Sequence, residues 1–423
     1  MNIKVKRILV ISESIDINDS SGSKGRVALI NNLVKAEFDL RVLHYTPKEV
    51  FLDGIDCVKI KESKFTILYL LSRIERVFTR ITKISLNPYL ESWFGFSFTF
   101  FNDIQSIKKT IKKEIGYNPD LILTLSKGAS FKPHYALLNI PELHDKWMAY
   151  VHDPYPYHYY PRPYNWIQPG FRQKENFFLQ VSEKAKYSVF PSLLLKEWMG
   201  SYFPGFLRTG IVIPHQSTEK DFQNQVLPNY FDSSKFNLLH AGNLMKQRSP
   251  EGLIEGFKLF LHKNPEAKEL SKLILLGSAQ YHKKMLENYS TNTPEIYVFN
   301  GNVPFHTVYQ LQQNVSVNII LEAKSEISPF LPGKFPHCIE ANNAILSLAP
   351  YYSETRRLLG TDYPYWAEVD QVEKIADIIE TLYKLWKQNP DNLHMNRKDL
   401  TEYLSADYLK KVINKDYLED DRI

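Results

Sequence analysis

The chain has only two cysteines in 423 residues, Cys57 and Cys338, far apart and without metal-ligand spacing. That excludes a disulfide scaffold and a cysteine-built zinc site, and it points to a reducing compartment. No apolar run approaches the roughly 18 residues needed to cross a bilayer. The opening MNIKVKRILVISES has basic residues before a short apolar run but no small-residue cleavage site, so it reads as a first β-strand and not as a secretory leader. The loop after that strand holds Gly22 and Gly25 but not the fingerprint GxGxxG, which leaves a nicotinamide cofactor unsupported. Short-period repeats and low-complexity tracts are absent, and no nucleic-acid motif accompanies the basic charge.

What is present is a globular composition, 43% apolar and 23% charged, in a chain long enough for two or three cores. The net charge of +5 is unevenly spread. Residues 59–113 hold eleven Lys or Arg against four acids, a local +7, and include the aromatic run YLESWFGFSFTFF. Two readings fit this segment: a basic, aromatic surface for an anionic membrane, or helices with one buried face and one solvated basic face.

From Arg7 the sequence runs strand RILVIS, polar loop ESIDINDSSGSKG, helical pattern RVALINNLVKA and strand FDLRVLHYT, the order of a parallel βαβ unit. PDLILTLS, KWMAYVHD and YSVFPS continue it as short apolar runs suited to strands buried on both faces. After TGIVIPHQ comes a polar stretch without periodicity. The pattern then restarts with FNLLHAG, the helix SPEGLIEGFKLFLHKN, and the strands SKLILLGS, EIYVFNGNV and VSVNIIL. A linker is expected near residues 214–234. Ligands of open α/β sheets bind at the carboxyl ends of strands, so the loops just after strands are where site residues belong.

Several of those loops carry unusual residues. LLHAGNLMKQRSPEGLIEGFKLF ends a strand on Gly242 and sets Arg248 six residues later, just before an amphipathic helix, with Lys246 as the alternative cation. A glycine lets the backbone approach a phosphate, and a cation near a helix start adds to the field of the free N–H groups. LILLGSA ends the next strand on Gly277, and VFNGNVPFHTVYQLQ carries Gly301. In SPFLPGKFPHCIEANNAILSLAP, prolines and a glycine deliver Lys334 to the start of a short helix. In the first half, WMAYVHDPYPYHYYPRPYNW sets His152 and Asp153 directly after a strand and follows them with Tyr155, Tyr157, Tyr159 and Trp166. Such rings stack on sugars or pack in a core; a histidine can donate to a sugar hydroxyl, and Asp153 can orient its ring.

In order and spacing, these motifs resemble those of GT-B glycosyltransferases, especially family 4, over nearly the whole chain. The resemblance implies an α/β fold of two Rossmann-like open parallel-sheet domains facing a cleft. It implies an acceptor-binding domain over 1–214, a nucleotide-sugar donor domain over 215–398, and a terminal helix, 399–423, that crosses back to the first domain. The implied donor site is Gly242, Lys246, Arg248, Gly277, Gly301 and Lys334, with His337 or Glu340 in the usual acidic role, since the two glutamates eight apart are missing. The implied catalytic pair is His152 and Asp153, and Gly22, Ser23, Tyr155 and Tyr157 are candidates for the acceptor.

The expected activity is transfer of a sugar from a nucleoside diphosphate sugar to a glycan or lipid-linked acceptor, with retention, in bacterial surface polysaccharide synthesis. No cofactor and no metal are expected, because no Asp-x-Asp triad stands in a suitable context. The alternatives are a non-catalytic carbohydrate- or nucleotide-sugar-binding homologue and a sugar-nucleotide epimerase. The expected location is cytoplasmic, with peripheral contact at the inner face of the cell membrane left open by the basic segment, and nucleic acid is not an expected partner.

Overall fold

A computed structural model describes residues 7–19, 21–217 and 227–418. Part of the expected linker, residues 218–226, lies outside the described residues, as do residues 1–6 of the opening segment and 419–423 of the terminal one. The chain divides into two compact units, the first comprising Met1–Tyr160, Asn165–Thr218 and Leu404–Ile423, the second Pro161–Tyr164 and Glu219–Tyr403.

The first unit is built on strands β1 (Arg7–Ser12), β2 (Asp39–His44), β3 (Asp56–Lys59), β4 (Leu121–Leu125), β5 (Trp147–Tyr150), β6 (Tyr187–Phe190) and β7 (Gly210–Val212). They form a parallel sheet in the order β3-β2-β1-β4-β5-β6-β7, with Ile8 opposite Leu40 on one side and Leu121 on the other. Successive side chains of a strand point to opposite faces, and here both faces are covered. Ile8 and Val10 pack with Val27, Ile30 and Leu33 of the helix Ser21–Lys35. Leu9 and Ile11 join Ile107, Phe131, Ala136, Phe177 and Phe178 on the other face. All four strand residues are at most 2% exposed, which is why RILVIS is apolar without alternation; each contributes about 1.5–3 kcal/mol of burial. Helix Ala406–Leu418 packs on helix Ser21–Lys35 and adds Leu409 and Ile413 to the first layer.

In the second unit β8 (Phe236–Ala241), β9 (Ser271–Leu276), β10 (Ile296–Phe299), β11 (Val317–Leu321), β13 (Ala344–Leu348) and β15 (Trp366–Ala367) form a parallel sheet in the order β10-β9-β8-β11-β13-β15. The short β12 (Ile327–Ser328) and β14 (Tyr352–Ser353) pair separately. Both sheets reverse their winding at one place, between β1 and β4 and between β8 and β11. At such a switch point the loops on either side part, and a crevice opens at the carboxyl ends of the strands. No helix among the described residues is long and apolar enough to cross a membrane.

Candidate functional site

At the switch point of the second unit, Lys334, His240, Arg248 and Glu322 come together, with Cys338 close to the lysine. Lys334 stands at the start of the helix Phe335–Glu340, and its Nζ donates to the carbonyl of Ile319 on β11 at 2.8 Å and lies 3.0 Å from Nδ1 of His240 on β8. Both partners are neutral dipoles. Burial, reinforced by the nearby Arg248 charge, pushes the lysine down to about 7, while Cys338 and Glu322 act the other way. Burial first, then Lys334 and Arg248, hold His240 uncharged by pushing it well below its ordinary range. The helix is only six residues long, so its own field is slight and Lys334 carries the positive charge that its prolines position.

Gly242 closes β8 beside this lysine: a Cβ there would sit 3.9 Å from Nζ. Gly277, at φ +133°, backs directly onto it, and a Cβ at Gly277 would stand 2.4 Å from the Gly242 carbonyl oxygen. Asn243 accepts the Ser278 N–H at 3.2 Å and ties the two loops together. Gly277→Ala is therefore expected to destabilise by about 1–3 kcal/mol and to displace the Gly242 turn. The check is a thermal melt, with an expected drop of about 2–4 °C per kcal/mol for a unit of this size, together with weakened nucleotide binding. An unchanged melt would reject the close packing.

Arg248 and Lys246 were alternatives in sequence, and the structure separates them. Lys246 is exposed, whereas Arg248 is half-buried, donates to the Asn243 carbonyl at 3.3 Å and lines a small pocket with Tyr164, Glu322, Ser325, Ser328 and Phe330. Glu322, which follows β11, is 4% exposed and accepts from the Thr355 hydroxyl at 2.8 Å. Burial pushes its carboxyl up, against the pull of Ser328, Thr355, Arg248 and Lys334. Sequence reasoning missed both Glu322 and His240. The signal was there: His240 is next to last in its strand and Glu322 immediately follows one, the places where this fold gathers ligand groups.

His337 and Glu340 share one side of the helix that Lys334 begins. The Tyr309 hydroxyl donates to Glu340 at 2.6 Å, His337 Nδ1 lies 3.8 Å from the same carboxylate, and the Phe305 and Tyr309 rings meet the imidazole edge-on. Glu340 is thus held in place by Tyr309, and His337, 7% exposed, packs beneath it. Gly301 lies in the loop after β10, where a Cβ would press on the Phe299 ring at 3.0 Å.

In the first unit the loops after β1, β4 and β5 converge. Arg26 is 7% exposed and donates to the carbonyls of Ser14 and Ser126 at 3.0 and 2.9 Å and to the Ser23 hydroxyl at 2.6 Å, stapling the first two loops together. His152, after β5, has Nδ1 3.5 Å from Ser126 Oγ and Nε2 3.5 Å from Asp153 Oδ2. Both contacts are long, so stacking on Phe131, at 5.6 Å between ring centres, does more to hold the imidazole. Burial, with Arg26 and His215, pushes His152 down to about 3, and burial pushes Asp153 up to about 7 against a hydrogen bond from Tyr160. The histidine is therefore a neutral hydrogen-bonding group at physiological pH. Behind it, Glu13 accepts from the Lys127 N–H at 2.7 Å and from the Ser130 hydroxyl, and Lys132 bridges Glu13 at 3.6 Å and Asp103 at 2.9 Å.

Two acceptor expectations change here. Tyr155 is 1% exposed, enclosed by Phe131, Phe177 and Phe178, and presents no face to a sugar; it is a core residue. Ser23 is fully buried and its hydroxyl serves Arg26, so it positions a loop. Gly22 is exposed in the first turn of its helix. Tyr157 is half-buried against Tyr160 and Trp166, while Tyr159 donates to Glu175 and stacks on Tyr202.

No protein-family profile and no curated protein sequence matches this chain. Solved structures do. The chain is similar to a glycosyltransferase from Rickettsia africae ESF-5, with 12% identity and a TM-score of 0.62 over 99% of this chain and 100% of that one. It is similar to the trehalose-6-phosphate synthase OtsA, with 10% identity and a TM-score of 0.64 over 97% and 99%. It is also similar to HepE from Anabaena in complex with UDP and glucose, with 11% identity and a TM-score of 0.57 over 97% and 98%. The fold is accordingly GT-B, with two Rossmann-like parallel-sheet domains, and the likeness does not single out family 4.

Proposed function

We propose that the protein is a glycosyltransferase that moves a sugar from a nucleoside diphosphate sugar to a glycan or lipid-linked acceptor. The observation that carries this reading is Lys334: a desolvated lysine whose partners are an imidazole and a carbonyl, set beside Gly242 and Arg248 where a sheet switches winding. A half-buried cation held by neutral dipoles favours an anion, and the missing side chain at Gly242 leaves room for one. Among the similar structures, HepE holds UDP and glucose and a trehalose-6-phosphate synthase from E. coli holds UDP-2-fluoro glucose, which supports a UDP-linked donor here.

In this reading Arg248 and Lys334 bind the two phosphates. As the bond from sugar carbon to phosphate oxygen breaks, charge grows on the leaving diphosphate, and fixed cations in a low-dielectric site stabilise it without reorganising. The acceptor oxygen forms the new bond to the same carbon and passes its proton to the departing diphosphate oxygen. His152, neutral, donates to or accepts from a sugar hydroxyl, and Glu322 and Glu340 are the carboxylates available to donor hydroxyls. Retention of configuration, function without a metal or cofactor, and a role in bacterial surface polysaccharide synthesis follow from the resemblance to family 4 and belong to the proposal.

A thermal-shift screen against nucleotides and nucleotide sugars tests the donor, because a ligand bound only by the folded state raises apparent stability by mass action. The expected result is a shift with UDP and a larger one with the matching UDP-sugar, followed by slow sugar release on incubation. Tight binding without release would make the protein a non-catalytic binder, and isomerised donor without acceptor would make it an epimerase. No shift with any nucleotide would overturn the reading.

A further inference from the structure

The helix Ile67–Thr82 is built inside out. Its apolar residues Ile67, Leu70, Ile74, Val77, Phe78 and Ile81 recur at helical spacing along one stripe, which in a globular protein faces the core. Here that stripe faces solvent, with Ile67, Leu70, Ile74, Val77 and Ile81 between 52% and 78% exposed. The buried residues of the helix are Ser72 and Glu75. It rests on helix Phe98–Glu114 through polar contacts: Thr66 with Asn102 at 2.6 Å and Arg76 with Thr99 at 3.3 Å. The Ser63 N–H, just before the helix, reaches Ser106 at 2.9 Å. A sequence that reserves its polar face for the protein and offers its apolar face outward is arranged for an apolar partner.

The charges around the stripe say which partner. Lys61, Lys64, Arg76, Arg80 and Lys83 are exposed. The three acids of residues 61–94 are buried or ion-paired: Glu75 is buried, Glu62 pairs with Arg73 at 3.3 Å, and Glu91 pairs with Lys174 at 2.7 Å. The rim is thus all positive, and a second copy of the chain would bring like charges together across any two-fold contact. We propose that this helix docks the protein on an anionic lipid bilayer, lying in the plane of the interface with the stripe among the acyl chains and the five cations at the headgroups. The exposed Phe65, Tyr89, Trp93 and Phe94 flank the helix in sequence and are of the types that partition to such interfaces.

Sedimentation of the full-length protein with vesicles tests this, and it reads nothing of the donor site. Vesicles of phosphatidylglycerol mixed with phosphatidylcholine are expected to carry the protein down at low salt, vesicles of phosphatidylcholine alone to do so poorly, and added salt to release it. Arg76→Gln, Arg80→Gln and Lys83→Gln together are expected to weaken binding roughly a hundredfold, at about fivefold per charge. Ile74→Ser, Val77→Ser and Ile81→Ser together should abolish it while the melting temperature is kept, since these side chains pack against little. UDP affinity, titrated without lipid, should stay within twofold in both variants, so failure of the docking surface and failure of the donor reading are told apart. Three outcomes overturn the proposal: wild-type protein left in solution at low salt, serine variants that bind as wild type does, or a dimer in solution that the serine variants dissociate.

Discussion

Lys334→Ala is expected to weaken UDP binding by roughly 10- to 100-fold, the effect of losing one charge-assisted contact of about 1.5–3 kcal/mol. The pH dependence is the more telling measurement. In the free protein Lys334 sits at about 7, below the ordinary lysine value, because burial disfavours its charge. A bound diphosphate favours the charged form and raises that pKa. Below pH 7 the lysine is protonated before and after binding, and its contribution is fully present. Above pH 7 binding must take up a proton, so affinity falls by up to about tenfold per pH unit until the pKa of the complex is reached. The terminal phosphate of UDP, with a second pKa near 6, is already ionised through that range and does not mask the slope. Calorimetric titration of UDP between pH 7 and 9 should show this fall in the wild type and lose it in Lys334→Ala. Equal affinities and equal slopes in the two proteins would remove Lys334 from the donor site. Arg248→Ala should weaken binding comparably and keep the slope, because the lysine is still there to titrate.

His152→Ala is expected to cut turnover by about 10²–10³, the usual cost of removing one positioned hydrogen-bonding group from the reacting centre, while UDP affinity stays within twofold. A residue that acts on the sugar is felt in the transition state and not in the binding of the nucleotide. Because His152 lies at about 3, its own titration falls below the working range and the imidazole stays neutral. The group that titrates near neutrality is Asp153, raised to about 7 by burial. Its ionised carboxylate, 3.5 Å from Nε2, favours the tautomer of His152 that carries its proton on that nitrogen. Turnover should therefore rise with pH through about 7 and level off, and Asp153→Asn should flatten that limb. Initial rates across pH 5.5–8.5, in buffers of constant ionic strength, decide between these; normal turnover in a folded His152→Ala protein would take the histidine out of the mechanism.

Much of the fold was legible because it is written in local patterns. Continuous runs such as RILVIS and VNIIL mark strands covered on both faces, and the sheets they form are parallel as the βαβ order requires. The strand-end glycines were legible for the same reason. Gly242 and Gly277 each close a strand, although it took the structure to reveal that they touch. The segment 59–113 was read from charge and aromatic content, which describe composition but not orientation; that helix Ile67–Thr82 turns its polar face inward depends on Asn102 and Ser106, which lie 36 and 43 residues beyond their partners Thr66 and Ser63.

The sequence by itself determined the α/β architecture, the placement of candidate groups at strand ends, and which lysine and arginine are proposed to meet an anion. Those follow from periodicity and residue chemistry, which act over a few positions. Tertiary structure decided which of these groups are desolvated and what they face. Lys334 meets His240 across 94 positions of sequence, Arg26 binds the Ser126 carbonyl across 100, and Tyr155 loses its open face to Phe131 from a loop and Phe178 from helix Phe171–Lys184. Desolvation and orientation depend on every element packed around a side chain, and packing brings together residues whose distance in the chain carries no sign of their distance in space.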